Sequence, residues 1–181
     1  MAMSIRTYRC HRIDDDITTI SLDEVSLPSP APNEVQVRLK ACAVNFPDIL
    51  MIQGKYQKKP PLPFAPGGEA AGDVIATGSE VTNVNEGDAV IVSCGHGGFA
   101  EAINIESHAV RPMPAGMDYA AAASFQTAYL TSDLICLISL NFSTKNQTCS
   151  VTSKCVNAQY LSGQYGPSGS QSHQFPVQSL N

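Results

Sequence analysis

The chain has 181 residues, room for one domain or two small ones, and 43% of them are hydrophobic. Sixteen acidic against eleven basic side chains leave a net charge of −5, which argues against a nucleic-acid or anionic-membrane surface. No apolar run reaches the roughly 20 residues a membrane-crossing helix needs, and six cysteines scattered over this length are too few for a disulfide scaffold. These totals fit a soluble, cytoplasmic protein. Mitochondrial import is the lesser alternative: Arg6, Arg9 and Arg12 have the spacing of a weak presequence, but Asp14, Asp15 and Asp16 follow at once.

The averages conceal a change of character at about residue 132. Residues 1–132 hold nine basic and fifteen acidic side chains, ten of the 13 glycines and ten of the 12 prolines, set between apolar runs as turn residues. In residues 133–181, 22 of 49 positions are Ser, Gln, Asn or Thr and only Asp133, Lys145 and Lys154 are charged. A composition so poor in apolar anchors does not offset the entropy of ordering, so residues 132–181 are expected to form a largely irregular, disordered tail behind a domain of residues 1–131.

The alternation of apolar and polar residues predicts strands over Ser4–His11 and Ile17–Val25, joined by the acidic turn Asp14–Asp16. Glu34–Asn45 is the clearest strand, with Val35, Val37, Leu39 and Ala41 on one face. Pro47 near a first turn and Gly54 beyond the last predict a short helix between them. After the proline-rich loop Pro60–Pro66, further short strands are predicted over Glu69–Thr77, Asp88–Ser93, Gly98–Asn104 and His108–Arg111. Alanine-rich Asp118–Leu130 predicts the one longer helix. Short strands with glycine or proline between them indicate a mainly β, partly open barrel rather than a parallel sheet.

Four motifs occur in order: Asn45-Phe46-Pro47-Asp48; Pro66-Gly67-Gly68-Glu69-Ala70-Ala71-Gly72; a run with Gly78, Val81, Val84, Gly87, Asp88 and Val90; and Gly97-Gly98-Phe99-Ala100-Glu101. Together they resemble the GroES-like N-terminal domain of the medium-chain dehydrogenase/reductase superfamily, over about residues 4–131. Zinc alcohol dehydrogenases of that superfamily carry a cysteine where Asn45 stands and a histidine where Gly68 stands. An amide and a glycine are poor substitutes for thiolate and imidazole, and the family's structural zinc lobe has no counterpart, so no zinc is expected. Cys10, Cys42 and Cys94 read as buried small hydrophobes, and His96 as a structural histidine in a glycine turn.

What remains is similar to the zinc-independent quinone oxidoreductases and 2-enoyl thioester reductases, most closely over Asn45–Tyr56. That resemblance implies NADP(H) as cofactor and a small quinone or α,β-unsaturated carbonyl substrate, with no nucleic-acid or membrane partner. It matches Tyr56 to a proton donor; the alternative is a tyrosine packed beside the proline loop. Asn45 and Thr127 match residues on the nicotinamide side, although Thr127 could equally bond its own helix carbonyl. Asp48 reads as a cap or partner for a nearby donor, and Glu69 as a support of the cleft wall.

The resemblance stops after Thr131-Ser132. The family's doubly wound nucleotide domain opens with a glycine-rich phosphate loop, but Gly163, Gly166 and Gly169 have the wrong spacing and enclose Pro167. Residues 133–181 therefore read as foreign to the family, the product of an alternative exon end, a retained intron or a frameshift. Two functions stay open: a zinc-free NADPH-dependent reductase in incomplete form, or a catalytically silent barrel that is unstable or self-associates through its uncovered face.

Overall fold

The computed structural model describes residues 2–142, with the side chains of residues up to 129 and of 131 and 132. The chain divides into two units, residues 1–127 and 128–181. The first is built from β1 (Met3–Cys10), β2 (Ile20–Leu27), β3 (Glu34–Cys42), α1 (Phe46–Ile52), β4 (Glu69–Thr77), β5 (Ala89–Ser93), β6 (Ala102–Glu106) and β7 (Val110–Pro112). The last helix, α2 (Tyr119–Phe142), begins in it, and its residues from 128 onward open the second unit.

All strand pairs are antiparallel. β1 and β2 form a two-stranded sheet, in register from Met3 opposite Leu27 to Cys10 opposite Ile20. The other five lie in the order β6-β3-β4-β5-β7. The two sheets meet where Tyr8 N donates to Phe99 O (2.8 Å) and Cys10 N to Phe64 O (2.7 Å), without a continuous ladder between them, so the barrel is partly open as its turn-rich sequence suggests.

Valine dominates its core because β-branched side chains suit a pleated, buried face. Val35 and Val37 of β3, Val74 of β4 and Val90 and Val92 of β5 are at most 2% exposed and pack together. Cys10, Met51, Ile52 and Phe64 form a second cluster that docks α1 and the proline-rich loop onto β1.

Several elements depart from their sequence outlines for local reasons. Ile17–Thr19 forms a 3-10 turn, because the Asp16 carboxylate accepts from Thr18 N (2.9 Å). β3 stops at Cys42, where the chain turns away and Ala43 N donates to Glu69 O (3.1 Å). β6 begins only at Ala102, since Gly98 and Phe99 donate to Gly67 O and Pro66 O at 3.0 Å instead of joining a strand ladder. β7 begins at Val110 behind a 3-10 turn over Ser107–Ala109.

The largest difference is α2, which continues twelve residues past Leu130 and through the expected boundary at 132. No glycine or proline stands between Gly116 and Gly163 to stop it. The expected irregularity of the remaining tail falls on residues 143–181, outside the described residues. No helix among the described residues is long and apolar enough to cross a membrane.

Candidate active site

The site is assembled around the N-terminus of α1 and the first residue of β4. Asn45 precedes the first turn of α1 in an extended conformation (φ −117°, ψ 157°), with Pro47 inside that turn where its missing N–H costs nothing. Asp48 closes the turn: its Oδ2 accepts from Asn45 N (2.8 Å), and Asp48 N donates to Asn45 O (3.0 Å). The other oxygen, Oδ1, accepts from Gly67 N (2.9 Å) across nineteen residues of sequence.

Glu69 works in the same way. Its Oε1 accepts from Asn45 Nδ2 (3.0 Å) and its Oε2 from Thr127 N (2.9 Å). Asp48 and Glu69 are 2% and 3% exposed, and neither forms a salt bridge among the described residues. Charge-assisted bonds to N–H groups replace the water each carboxylate gives up. Bonded on both oxygens, the two carboxylates fix the geometry of the turn and of the strand start.

Gly67 makes this packing possible. It sits at φ +98°, and a Cβ there would lie 2.7 Å from the Phe99 ring and 2.9 Å from Cys42 Sγ. Cys42 Sγ donates to Glu69 O and Cys94 Sγ to Gly67 O, both at 3.2 Å. Burial pushes both thiols up to about 12, with the neighbouring Asp48 and Glu69 carboxylates adding to it. At neutral pH they are small apolar donors, as their isolated positions in the sequence suggest.

On the neighbouring wall, Tyr119 Oη donates to Asp73 Oδ1 (2.5 Å) and Lys40 Nζ lies 3.5 Å from Asp73 Oδ2. Gln126 of α2 is held by the Ser93 hydroxyl. These bonds seat residues 119–127 against β4 and β5.

Of the residues singled out from sequence, Asn45 and Thr127 are brought together on the two oxygens of Glu69. Tyr56 stands beyond the opposite end of α1, whose seven residues span about 10 Å. It packs against the cluster of Cys10, Met51, Ile52 and Phe64, half-buried, and its hydroxyl makes no hydrogen bond among the described residues. A separate groove of about 620 Å³ runs between the two sheets, lined in part by Tyr8, Leu22, Leu39, Val44 and Phe99. None of Asn45, Tyr56, Glu69 or Thr127 lines it. Among the described residues no group of three or more His, Cys, Asp or Glu side chains is arranged to hold a metal ion.

Residues 31–115 match the alcohol dehydrogenase GroES-like domain. The barrel is a GroES-like domain of the medium-chain dehydrogenase/reductase superfamily. The chain is 35% identical over 130 residues to the quinone oxidoreductase-like protein 2 homolog of Nematostella vectensis, covering 71% of this chain and 35% of that one. The GroES-like domain superimposes on the Escherichia coli quinone oxidoreductase complexed with NADPH with a TM-score of 0.66 and 31% identity, covering 72% of this chain and 40% of that one. For the human synaptic vesicle membrane protein VAT-1 homolog-like protein the TM-score is 0.73 at 26% identity, over 80% of this chain and 46% of that one. The chain thus spans less than half the length of each of these relatives.

Sequence reasoning placed Asp48 and Glu69 as supports, but their long-range partners, Gly67 N and Thr127 N, carry no local signature. Replacing Asp48 by Asn sets an amide N–H against one of two backbone N–H groups in a buried site, so Asp48→Asn is expected to lower stability by about 2 kcal/mol. Urea denaturation checks this, and an unchanged midpoint would show the carboxylate to be dispensable. The raised thiols predict that Cys42 and Cys94 react with iodoacetamide at pH 8 about a hundredfold more slowly in the native than in the denatured chain. Peptide mapping by mass spectrometry reads this out; equal rates would mean that the barrel opens readily.

Proposed function

We propose that this GroES-like domain forms the substrate wall of a zinc-free, NADPH-dependent reductase of quinones or α,β-unsaturated carbonyl compounds. The observation that carries the reading is the Glu69 carboxylate, which joins Asn45 to Thr127, the two residues that family resemblance assigns to the nicotinamide side. One buried group holds both in fixed relation before any ligand arrives, the preorganisation that hydride transfer between two bound molecules requires.

The donor chemistry supports a reaction without zinc. At the positions where zinc alcohol dehydrogenases carry cysteine and histidine stand Asn45 and Gly68, and the nearby thiols of Cys42 and Cys94 are protonated and already donate to backbone carbonyls. The buried carboxylates likewise each accept two N–H groups of the chain.

The residues suited to the nicotinamide are Asn45 and Thr127; the bound cofactor supplies a hydride to an electron-poor carbon of the substrate. This chain's part is to hold the reacting face and to provide the proton. An amide fixed by Glu69 presents a rigid polar edge. Tyr56 is the proposed proton donor: a phenol carries an O–H that can donate, and its hydroxyl makes no hydrogen bond among the described residues.

Residues 1–127 contain no glycine-rich phosphate loop leading from a strand into a helix, so the proposal assigns the dinucleotide's phosphates to other protein surface. Val44 and Phe46, 74% and 69% exposed on either side of Asn45, support a surface that is covered when the site is complete.

Calorimetric titration of the chain separates the two ligands. NADPH is expected to bind more weakly than about 1 mM, a free energy of about −4 kcal/mol, and a planar quinone to bind detectably. Submicromolar NADPH binding would overturn this division of roles, and absence of quinone binding would overturn the substrate assignment. Where turnover of an enone with NADPH is obtained, Tyr56→Phe is expected to lower it about a hundredfold at unchanged NADPH affinity. Equal turnover would remove Tyr56 from the mechanism.

A further inference from the structure

The turn after α1 carries three lysines, and they are used differently. Lys55 is committed to Asp15, with Nζ 2.6 Å from Oδ1. Lys58 has no carboxylate partner among the described residues, yet its ammonium leans in over the protein. Its Nζ lies 3.2 Å from where a Cβ on Gly95 would stand. Gly95 N in turn donates to Gly68 O (2.9 Å), and a Cβ on Gly68 would meet nothing nearer than Gly95 O at 3.8 Å.

The cation therefore hangs beside a strip of bare backbone, Gly95 and Gly68, that adjoins Glu69 and through it Asn45 and Thr127. Gly95 follows Cys94, whose thiol donates to Gly67 O (3.2 Å), so the bare strip is anchored to the same glycine loop that Asp48 holds through Gly67 N. Asp48 and Glu69 direct both oxygens at N–H groups of the chain, and among the described residues neither forms an ion pair with Lys58. An ammonium with no carboxylate partner among the described residues, beside backbone that carries no side chains, has the shape and charge to receive a flat molecule with an acidic substituent.

We propose that Lys58 determines the specificity of this site, and that its preferred substrates are electron-poor quinones or enones bearing an anionic group such as a carboxylate, sulfonate or phosphate. This rests on reading the barrel as the substrate wall. The residue touches the substrate's charged substituent and takes no part in proton transfer. Its contribution is that of an exposed ion pair, a selectivity of about fivefold, and it weakens as salt screens the pair.

The test compares binding of 9,10-anthraquinone-2-sulfonate and neutral 2-(hydroxymethyl)anthraquinone to the full chain by calorimetry. The sulfonate is expected to bind about fivefold more tightly. The difference should vanish in Lys58→Gln, persist in Lys58→Arg and shrink at high salt. Equal binding of the two quinones by the unsubstituted chain would overturn the role of Lys58 while leaving the substrate-wall reading intact. Failure of both to bind would overturn both. Weakened NADPH binding in Lys58→Gln, with both quinones bound as before, would assign the cation to the dinucleotide's phosphates and overturn the inference.

Discussion

A carboxylate buried without a cation is the constraint on which this barrel depends. Glu69 stands at the first position of β4, 3% exposed, and stays there because Asn45 Nδ2 and Thr127 N each take one of its oxygens. Leaving either bond unmade would expose the chain to a desolvation cost of several kcal/mol. The donors come from positions 24 residues before and 58 residues after it. The carboxylate is thus satisfied only when the α1 turn, β4 and the start of α2 are all in place, so folding of the domain and preorganisation of the site are one event.

Asp48 extends the same logic to the glycine loop. It holds Gly67 N on one oxygen and the α1 N-terminus on the other, and the φ of +98° at Gly67 lets Phe99 and Cys42 close over it. The thiols beneath donate to the carbonyls of the same loop. Polar groups that look reactive by type are consumed in holding the backbone. The Tyr56 hydroxyl and the Lys58 ammonium, which have no hydrogen-bond or carboxylate partner among the described residues, lie on the turn following α1.

Most of the strands were legible in the sequence because period-two alternation and glycine or proline punctuation are local signals. β4 was outlined to the residue over Glu69–Thr77, and β1 and β5 to within one residue at each end. The shortened β6 was not legible, since Gly98 and Phe99 look extended in sequence and only their pairing with Gly67 and Pro66 keeps them out of the ladder. The end of α2 was less legible: the helix runs on through the mostly apolar stretch to Phe142, past the outline ending at Leu130, because no glycine or proline in it stops a helix. In the site, the residue types of Asn45, Asp48, Glu69 and Thr127 were readable, whereas the lean of Lys58 over Gly95 depends on a turn that no local pattern encodes.

By itself the sequence determined the mainly β architecture, the GroES-like family of the barrel, and the amide and the bare backbone that stand at positions 45 and 68. Each of these follows from residue identity or near-neighbour spacing. Only the tertiary structure decided that Glu69 clamps Asn45 to Thr127, that Asp48 reaches Gly67, and that the Cys42 and Cys94 thiols donate to backbone carbonyls. Those are matters of which groups meet after the chain has folded, and a buried charge selects its partners by geometry across distances that sequence spacing does not record.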